Sequence, residues 1–378
     1  MHIRALRLHH FRNLEDASID FHPKLNIFCG LNGQGKTNLV EAINIAATLK
    51  TFKSGIQNAD LIMWGQQAAF IKADFEEDGP LPVEVSISAQ GKKAKVSGKT
   101  IKDAAELGKS LATVTFVPDD LQLVQGSPQR RRKALDRFCF GINPRYAQIY
   151  RRYAHALAHR NQLLKDPHCN PQSLAAFDET LVITGIELIR MRHIASVNWA
   201  SVFNSHLKAL VGDAFTAHMK YHAQVFSDQD LNEAPEDWMR TFFLNKLQQK
   251  AAEERKRRTS LVGPHLDDIL FDFSGRSARR LASQGQARAM VLAMKMAEVE
   301  VIQRKRQQPP LLLLDDVISE LDAEKANNLL QHMEALTTQT FITTTELSPD
   351  LAKYNGQAFK LQNGNIVEQQ SLPMALED

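Results

Sequence analysis

The chain has 378 residues, with 46 Lys and Arg against 43 Asp and Glu and a formal net charge of +3 at pH 7. That length exceeds one ordinary domain and points to two, while the apolar and charged fractions are those of a globular protein and the net charge alone argues for no partner. Cys29, Cys139 and Cys169 show neither paired nor metal-ligand spacing, so buried thiols in a reducing cytosol are expected, with no disulfide and no zinc. The N-terminus passes directly into alternating apolar and polar residues rather than an apolar leader core, and no apolar run approaches the ~18 residues of a membrane span. The sequence predicts a soluble, cytoplasmic protein without membrane contact.

Residues 3–7 and 17–21 alternate in character, as do 69–75 and 83–88, and such period-two runs at short spacing predict a small antiparallel sheet beside a parallel one. Within this region a strand at 25–29 leads into Gly30-Leu31-Asn32-Gly33-Gln34-Gly35-Lys36-Thr37, and a helix opens at Lys36 with apolar Leu39, Val40, Ala42, Ile43 and Ala46. Strand, glycine-rich loop and helix are the context that a P-loop requires. Glycines let successive backbone N–H groups turn inward as an anion nest at a helix N-terminus. Lys36 then reaches the β- and γ-phosphates of a nucleotide, and the Thr37 hydroxyl is a Mg²⁺ ligand.

From about residue 128 to 255, apolar residues recur at helical spacing with little strand signal, which predicts an inserted, all-helical domain. Strand patterns return at 259–262 and 269–273, ahead of a helix from Gln286 to about residue 301. Pro309 and Pro310 then open a run of four leucines, 311–314, that reads as a strand buried on both faces of a parallel sheet. Asp315 falls at its carboxyl end, where such sheets bind ligands. With the adjacent Asp316 it suits Mg²⁺ coordination and the orientation of an attacking water. A helix near 323–336, a strand at 340–344 and a hairpin turning at Asn363-Gly364, the pair that a type I′ turn demands, complete the chain. The P-loop and the aspartate pair flank the insertion, so 1–127 and 256–378 are expected to fold as one α/β lobe with mixed sheets, around an inserted domain at 128–255.

Between insertion and buried strand stands Ser283-Gln284-Gly285-Gln286, at the start of a helix. A serine and a glycine there aim a hydroxyl and backbone N–H groups at an anion, or serve simply as a helix cap. The order of elements decides between these: P-loop, Ser-x-Gly-Gln, buried strand with Asp-Asp, then Ser319-Glu320-Leu321-Asp322 resembles the ATP-binding cassette ATPases. On that resemblance residues 283–286 stand for the signature, Asp315 for the Walker B aspartate and 319–322 for the D-loop. The signature of one subunit is then implied to complete the P-loop site of another, with ATP held between two copies.

Closer likeness lies in residues 6–14 with Phe11, Arg12 and Asn13, in the P-loop and its helix, and in residues 116–132. It continues in Gly263-Pro264-His265-Leu266-Asp267-Asp268 and in residues 314–322. From first residue to last these resemble the RecF family of bacterial recombination mediators, within the SMC-type ATPases. The resemblance implies an ATPase head with a helical insertion and ATP-dependent dimerisation on DNA. It further implies action at gapped or stalled replication structures, and partnership with RecR and RecO in placing RecA on single strands, in DNA repair and the SOS response. The insertion carries no sustained heptads, so a long coiled-coil arm is not expected. Thr343-Thr344-Thr345-Glu346 occupies the place of the switch histidine of transporter-type cassettes, and Asp316 that of their longer glutamate, so slow turnover is expected. Asp119 and Asp120 occupy the likeliest Q-loop position. Arg12 and Asn13, ending the first strand, are candidates to touch the nucleotide or to form only a polar turn.

For DNA, Arg130, Arg131, Arg132 and Lys133 run into a segment with Arg137, Arg145, Arg151, Arg152, Arg160 and Lys165 against a single acid, Asp136. A one-signed stretch of this kind is a phosphate-binding footprint. Arg255, Lys256, Arg257 and Arg258 form a second cluster. No base-reading element is visible, so sequence-independent binding to single- and double-stranded DNA is expected. Tyr146, Tyr150 and Tyr153 at helical spacing are read as packing residues rather than base stackers, and His155, His159 and His193 as no metal site. A transporter subunit and a plain nucleotide-dependent interaction module are the competing readings; the missing switch histidine opposes the first, and only kinetics separates the second.

Overall fold

The computed structural model describes residues 1–52, 55–77, 79–101, 103–166, 168, 170–213, 215–273, 276–318 and 323–373. It divides into two compact units, one of residues 1–121, 206–214 and 292–378, the other of residues 122–205 and 215–291.

The first unit holds two six-stranded sheets. One is antiparallel, in the order Leu14–Asp20, His2–Phe11, Ala68–Glu76, Pro80–Ser88, Gly91–Val96, Lys99–Ile101. The other runs Asn365–Leu372, Gly356–Gln362, Leu25–Cys29, Thr340–Thr344, Leu311–Leu314, Thr113–Phe116. All its neighbours are parallel except the closing hairpin. The four leucines lie inside this sheet with no exposed surface. Burying them contributes on the order of 6–12 kcal/mol, which fixes that strand at an interior place. Helix Lys36–Thr48 lies in a common core with both sheets, Leu39, Val40, Ile43 and Ala46 clustering with Leu6 and Ile71 of one and Phe28, Leu313 and Phe341 of the other. Gln339 ties the sheets by accepting from the Ile3 N–H (2.7 Å) and donating to the carbonyls of Ile3 and His22 (each 2.9 Å). In the closing hairpin Asn363 and Gly364 have φ of 50° and 79°, the pair of positive values that defines the expected type I′ turn.

The second unit packs Pro128–Ile142, Tyr146–Lys165, Glu236–Arg257 and most of the 41-residue helix Pro171–Val211 with a three-stranded antiparallel sheet, Arg276–Ser277, Asp268–Phe273 and Ala217–His222. The insertion is therefore rich in helix but not all-helical. Ala217–His222 alternates buried and exposed residues over only six positions, too few to stand out from the helical pattern around it. Because it pairs with Asp268–Phe273, the segment after residue 255 belongs with the insertion as far as residue 291. The units thus part near 121 and 291, where the sequence suggested 127 and 255. Residues 259–262 form no strand. The Thr259 N–H donates to the Glu254 carbonyl (3.2 Å), that of Ser260 to Asn161 Oδ1 (2.7 Å) and that of Leu261 to Glu254 Oε1 (2.7 Å), which takes these donors out of any ladder. The helix expected from Gln286 runs Gln284–Arg306. Among the described residues no helix is long and apolar enough to cross a membrane.

Candidate functional site

The P-loop leaves the carboxyl end of Leu25–Cys29. Gly30 has φ +144°, and a Cβ on it would stand 2.5 Å from the Leu361 carbonyl, so only glycine fits between the loop and the hairpin strand. Lys36 donates from Nζ to the carbonyls of Gly30 and Leu31, the latter at 2.9 Å, and so lies along the loop's inner edge. Burial lowers its pKa, and the carboxylates of Asp316 and Asp315 oppose that shift. The hairpin tip braces the loop from outside: the N–H groups of Asn363 and Gly364 donate to the side-chain and backbone oxygens of Gln34, respectively.

Behind the loop, Asp315 is 5% exposed and its Oδ1 accepts from Thr37 Oγ1 (2.8 Å) and Thr343 Oγ1 (2.9 Å). The Thr343 hydroxyl in turn accepts from the Asp316 N–H at 2.8 Å. Adjacent corners of a Mg²⁺ octahedron with ~2.1 Å bonds stand ~3 Å apart, so the Thr37 and Asp315 oxygens already have the spacing of two such ligands. Asp316 is half-buried with φ +54°, a left-handed backbone that turns it away from the strand direction. Of the threonines in the switch position, Thr343 is wholly buried against Asp315, Thr344 donates to the Glu346 carbonyl (3.0 Å), and Thr345 is exposed with its carbonyl accepting from the Gly30 N–H (3.2 Å). Thr343 thus orients the aspartate; a threonine on a buried strand gave no hint of that in the sequence.

Arg12 and Asn13 divide their roles. Asn13 braces the loop, donating from Nδ2 to the Gly33 carbonyl (3.3 Å) and accepting from Asn38 Nδ2 (2.7 Å). Arg12 is held by the fully buried Glu41, 2.7 Å from its Nε, and donates from Nη1 to the Asp60 carbonyl (3.2 Å). Its Nη2 is buried with no hydrogen-bond partner among the described residues. Asn38 and Glu41 were not legible as site residues, because one helix position says nothing of which neighbour it faces. At the Q-loop position Asp120 is buried, with the buried Lys295 at 3.4 Å.

In the second unit Ser283 and Gln286 form a reciprocal cap. The Gln286 N–H donates to Ser283 Oγ (3.2 Å), and the Ser283 N–H to Gln286 Oε1 (2.9 Å). Ser283, Gln284 and Gly285 are exposed, and a Cβ on Gly285 would meet nothing within 4 Å. The chain's own packing does not require a glycine there. The D-loop residues Ser319, Glu320, Leu321 and Asp322 lie outside the described residues, as does Cys169.

The basic stretch after Ser127 is corrected by the structure. Arg131 is buried in a two-pronged pair with Asp268 (2.7 and 2.8 Å), Arg160 is buried between Asp178 and Glu254, Arg132 is half-buried and donates to the Asp267 carbonyl (2.8 Å), and Arg145 pairs with Glu187 (2.8 Å). The acids missing from the segment arrive from elsewhere in the unit. Arg131 is thus committed within its own unit and Arg132 is partly so, while Arg130 and Lys133 are exposed. Arg255, Lys256, Arg257 and Arg258, ending Glu236–Arg257, are all exposed, with Arg257 paired to Glu253 (2.8 Å). Tyr146 and Tyr153 are buried, as packing requires; Tyr150 is exposed.

Comparison with known proteins agrees with this geometry. The RecF/RecN/SMC N terminal domain family matches residues 2–358. The DNA replication and repair protein RecF of Citrifermentans bemidjiense is 37% identical over 371 residues, spanning 97% of this chain and 100% of the relative. That of Thermosynechococcus vestitus is 38% identical over 97% of both. A solved structure of the recombination mediator protein RecF with ATP, described as part of the RecFOR pathway, superposes with a TM-score of 0.88 at 28% identity and covers 98% of each chain. A Pyrococcus furiosus Smc head domain shares the fold alone, at a TM-score of 0.58 and 15% identity. The chain belongs to the RecF family of DNA replication and repair proteins, the recombination mediators among the SMC-type ATPases.

Proposed function

We propose that the chain is an ATP-dependent switch that dimerises on DNA and promotes the loading of RecA at gaps or stalled forks, together with RecR and RecO. The observation that carries this reading is the hydrogen bond from Thr37 to Asp315, which closes 278 residues of sequence directly beside the P-loop lysine, Lys36. Lys36 neutralises the β- and γ-phosphates of ATP. Thr37 and Asp315 would hold Mg²⁺, a hard cation suited to their oxygens, which would supply charge neutralisation at the phosphates. Thr343 keeps Asp315 in register, and Asp316 orients the attacking water; being one methylene shorter than glutamate, it supports only slow hydrolysis. The exposed Ser283 hydroxyl and the helix N-terminus behind it meet the γ-phosphate held by a second copy. The exposed Gly285, whose missing side chain serves no internal packing, leaves room for that phosphate.

The test is Ser283→Arg, examined by sedimentation with ATP, Mg²⁺ and DNA. The variant is expected to bind ATP with wild-type affinity yet to stay monomeric, because a bulky cation now fills the docking face. Dimerisation equal to wild type sinks the composite site.

DNA contact falls to the exposed 255–258 cluster. Replacing all four residues with Ala should weaken binding to unrelated duplexes alike, since phosphate contacts carry no base information. It should also flatten the slope of log affinity against log salt by about 0.9 for each phosphate no longer neutralised. Arg131→Ala should leave that slope unchanged and lower stability instead, because it abandons Asp268. An unchanged slope in the four-residue variant refutes the assignment.

A further inference from the structure

The first unit's antiparallel sheet buries one face and leaves the other open. Strand register places the open side chains in two rows. One row runs Ser18, Arg7, Lys72, Glu84, Lys95, Thr100; the other runs Asp16, His9, Phe70, Ser86, Lys93. Phe70 is 49% exposed in the second row, with the His9 ring 6.3 Å away on one side and the small Ser86 on the other. A large aromatic ring on the solvent face of a sheet, beside a residue too small to cover it, gains little from the fold. The charges around it are unequal. Arg7 and Lys72 have partners, Asp74 at 3.0 Å and Glu84 at 3.6 Å. The hairpin Gly91–Val96 with Lys99–Ile101 carries four lysines and no acid, and the two that stand in these rows, Lys93 and Lys95, are exposed with no ion pair among the described residues.

We infer that this open sheet face is a platform for single-stranded nucleic acid, a site distinct from the 255–258 cluster. It rests on the reading of the chain as a DNA-binding protein and names a second surface for it. Lys93 and Lys95 stand two residues apart on one strand, ~7 Å, close enough for neighbouring phosphates of one strand to reach both, and Phe70 lies two strands away from Lys93 across Ser86. Phe70 offers its ring to a base. Only an unstacked base has a free face to give, so the ring selects single strands, while the lysines serve any phosphate chain. The combination of an aromatic platform and a one-signed edge is complementary to a flexible polyanion with aromatic bases, and to no neutral ligand.

The experiment uses the full chain with ATP and Mg²⁺, a fluorescein-labelled oligothymidylate and a labelled duplex, and two variants, K93Q/K95Q and F70A. All three substituted residues are exposed and far from the P-loop in sequence, and nucleotide affinity in each variant serves as the check on folding. The lysine variant is expected to lose about fivefold in oligothymidylate affinity, with the salt slope flattened by about 1.4, at ~0.7 per phosphate. F70A is expected to lose fivefold or more on oligothymidylate, keep its salt slope, and bind the duplex as wild type does. Wild-type affinity and slope on oligothymidylate in both variants overturn the platform and leave the DNA reading standing. A wild-type protein that binds neither probe overturns both.

Discussion

Lys36→Ala is expected to lower ATP affinity by roughly 10- to 100-fold, the range of a lost hydrogen bond to a charged group, and with it every ATP-dependent behaviour of the chain. The ammonium is the only side-chain cation among residues 25–42, and it lies along the carbonyls of Gly30 and Leu31 at the edge of the anion nest. Arg12, at the end of the first strand, cannot take its place, because it is pinned to Glu41. Titration with a fluorescent ATP analogue measures the loss, and an affinity equal to wild type removes the P-loop assignment.

Arg192→Ala should have the largest effect on stability. Arg192 is 2% exposed and donates to Asp136 (2.7 Å), to Asp267 (2.9 Å) and to the Pro264 carbonyl (2.6 Å), with Tyr146 and Tyr221 hydroxyls in the same network. Removing the cation strands the wholly buried Asp267, and breaking a buried pair from one side costs about 3–5 kcal/mol. The loss has a pH signature. Burial raises the Asp267 pKa, and Arg192 is the largest influence opposing that shift, so the variant raises it further. A carboxyl whose folded pKa lies above its unfolded value favours folding below the unfolded value, and that contribution is lost as pH rises through the folded one. The deficit of the variant against wild type should therefore be greatest at pH 8 and shrink toward pH 5. Urea denaturation at both pH values measures it; a deficit independent of pH assigns the effect to lost packing rather than to Asp267.

The elements with a strong local signature were legible in the sequence. The P-loop, the buried leucine strand and the Asn-Gly hairpin each declare themselves through residue type and spacing, and each has its expected conformation. Expectation and structure part where the deciding partner is distant. Arg131, Arg132 and Arg160 look like a phosphate footprint because Asp268, Asp267, Asp178 and Glu254 lie up to 137 residues away in the chain. Residues 259–262 look like a strand because their β-branched and apolar character is visible, whereas the side chains of Asn161 and Glu254 that occupy their backbone are not. Asn38 and Glu41 escaped for the same reason, and Thr343, marked in the sequence only by its switch position, did not show its bond to Asp315: such parts are defined by what stands opposite.

The place of Leu25–Cys29 in its sheet has a consequence for biosynthesis. Its two neighbours are Thr340–Thr344 and Gly356–Gln362, and the loop that follows it is braced by Asn363 and Gly364. Every partner of this strand is thus made more than 300 residues after it. At ~5–20 residues per second on the ribosome, that is a wait of roughly 15–60 seconds in which an apolar strand with both edges open has nothing native to pair with. The ladder that holds the P-loop strand, and Asp315 beside Thr37, are complete only once nearly the whole chain has emerged, so a product ending before residue 340 lacks both neighbours of that strand.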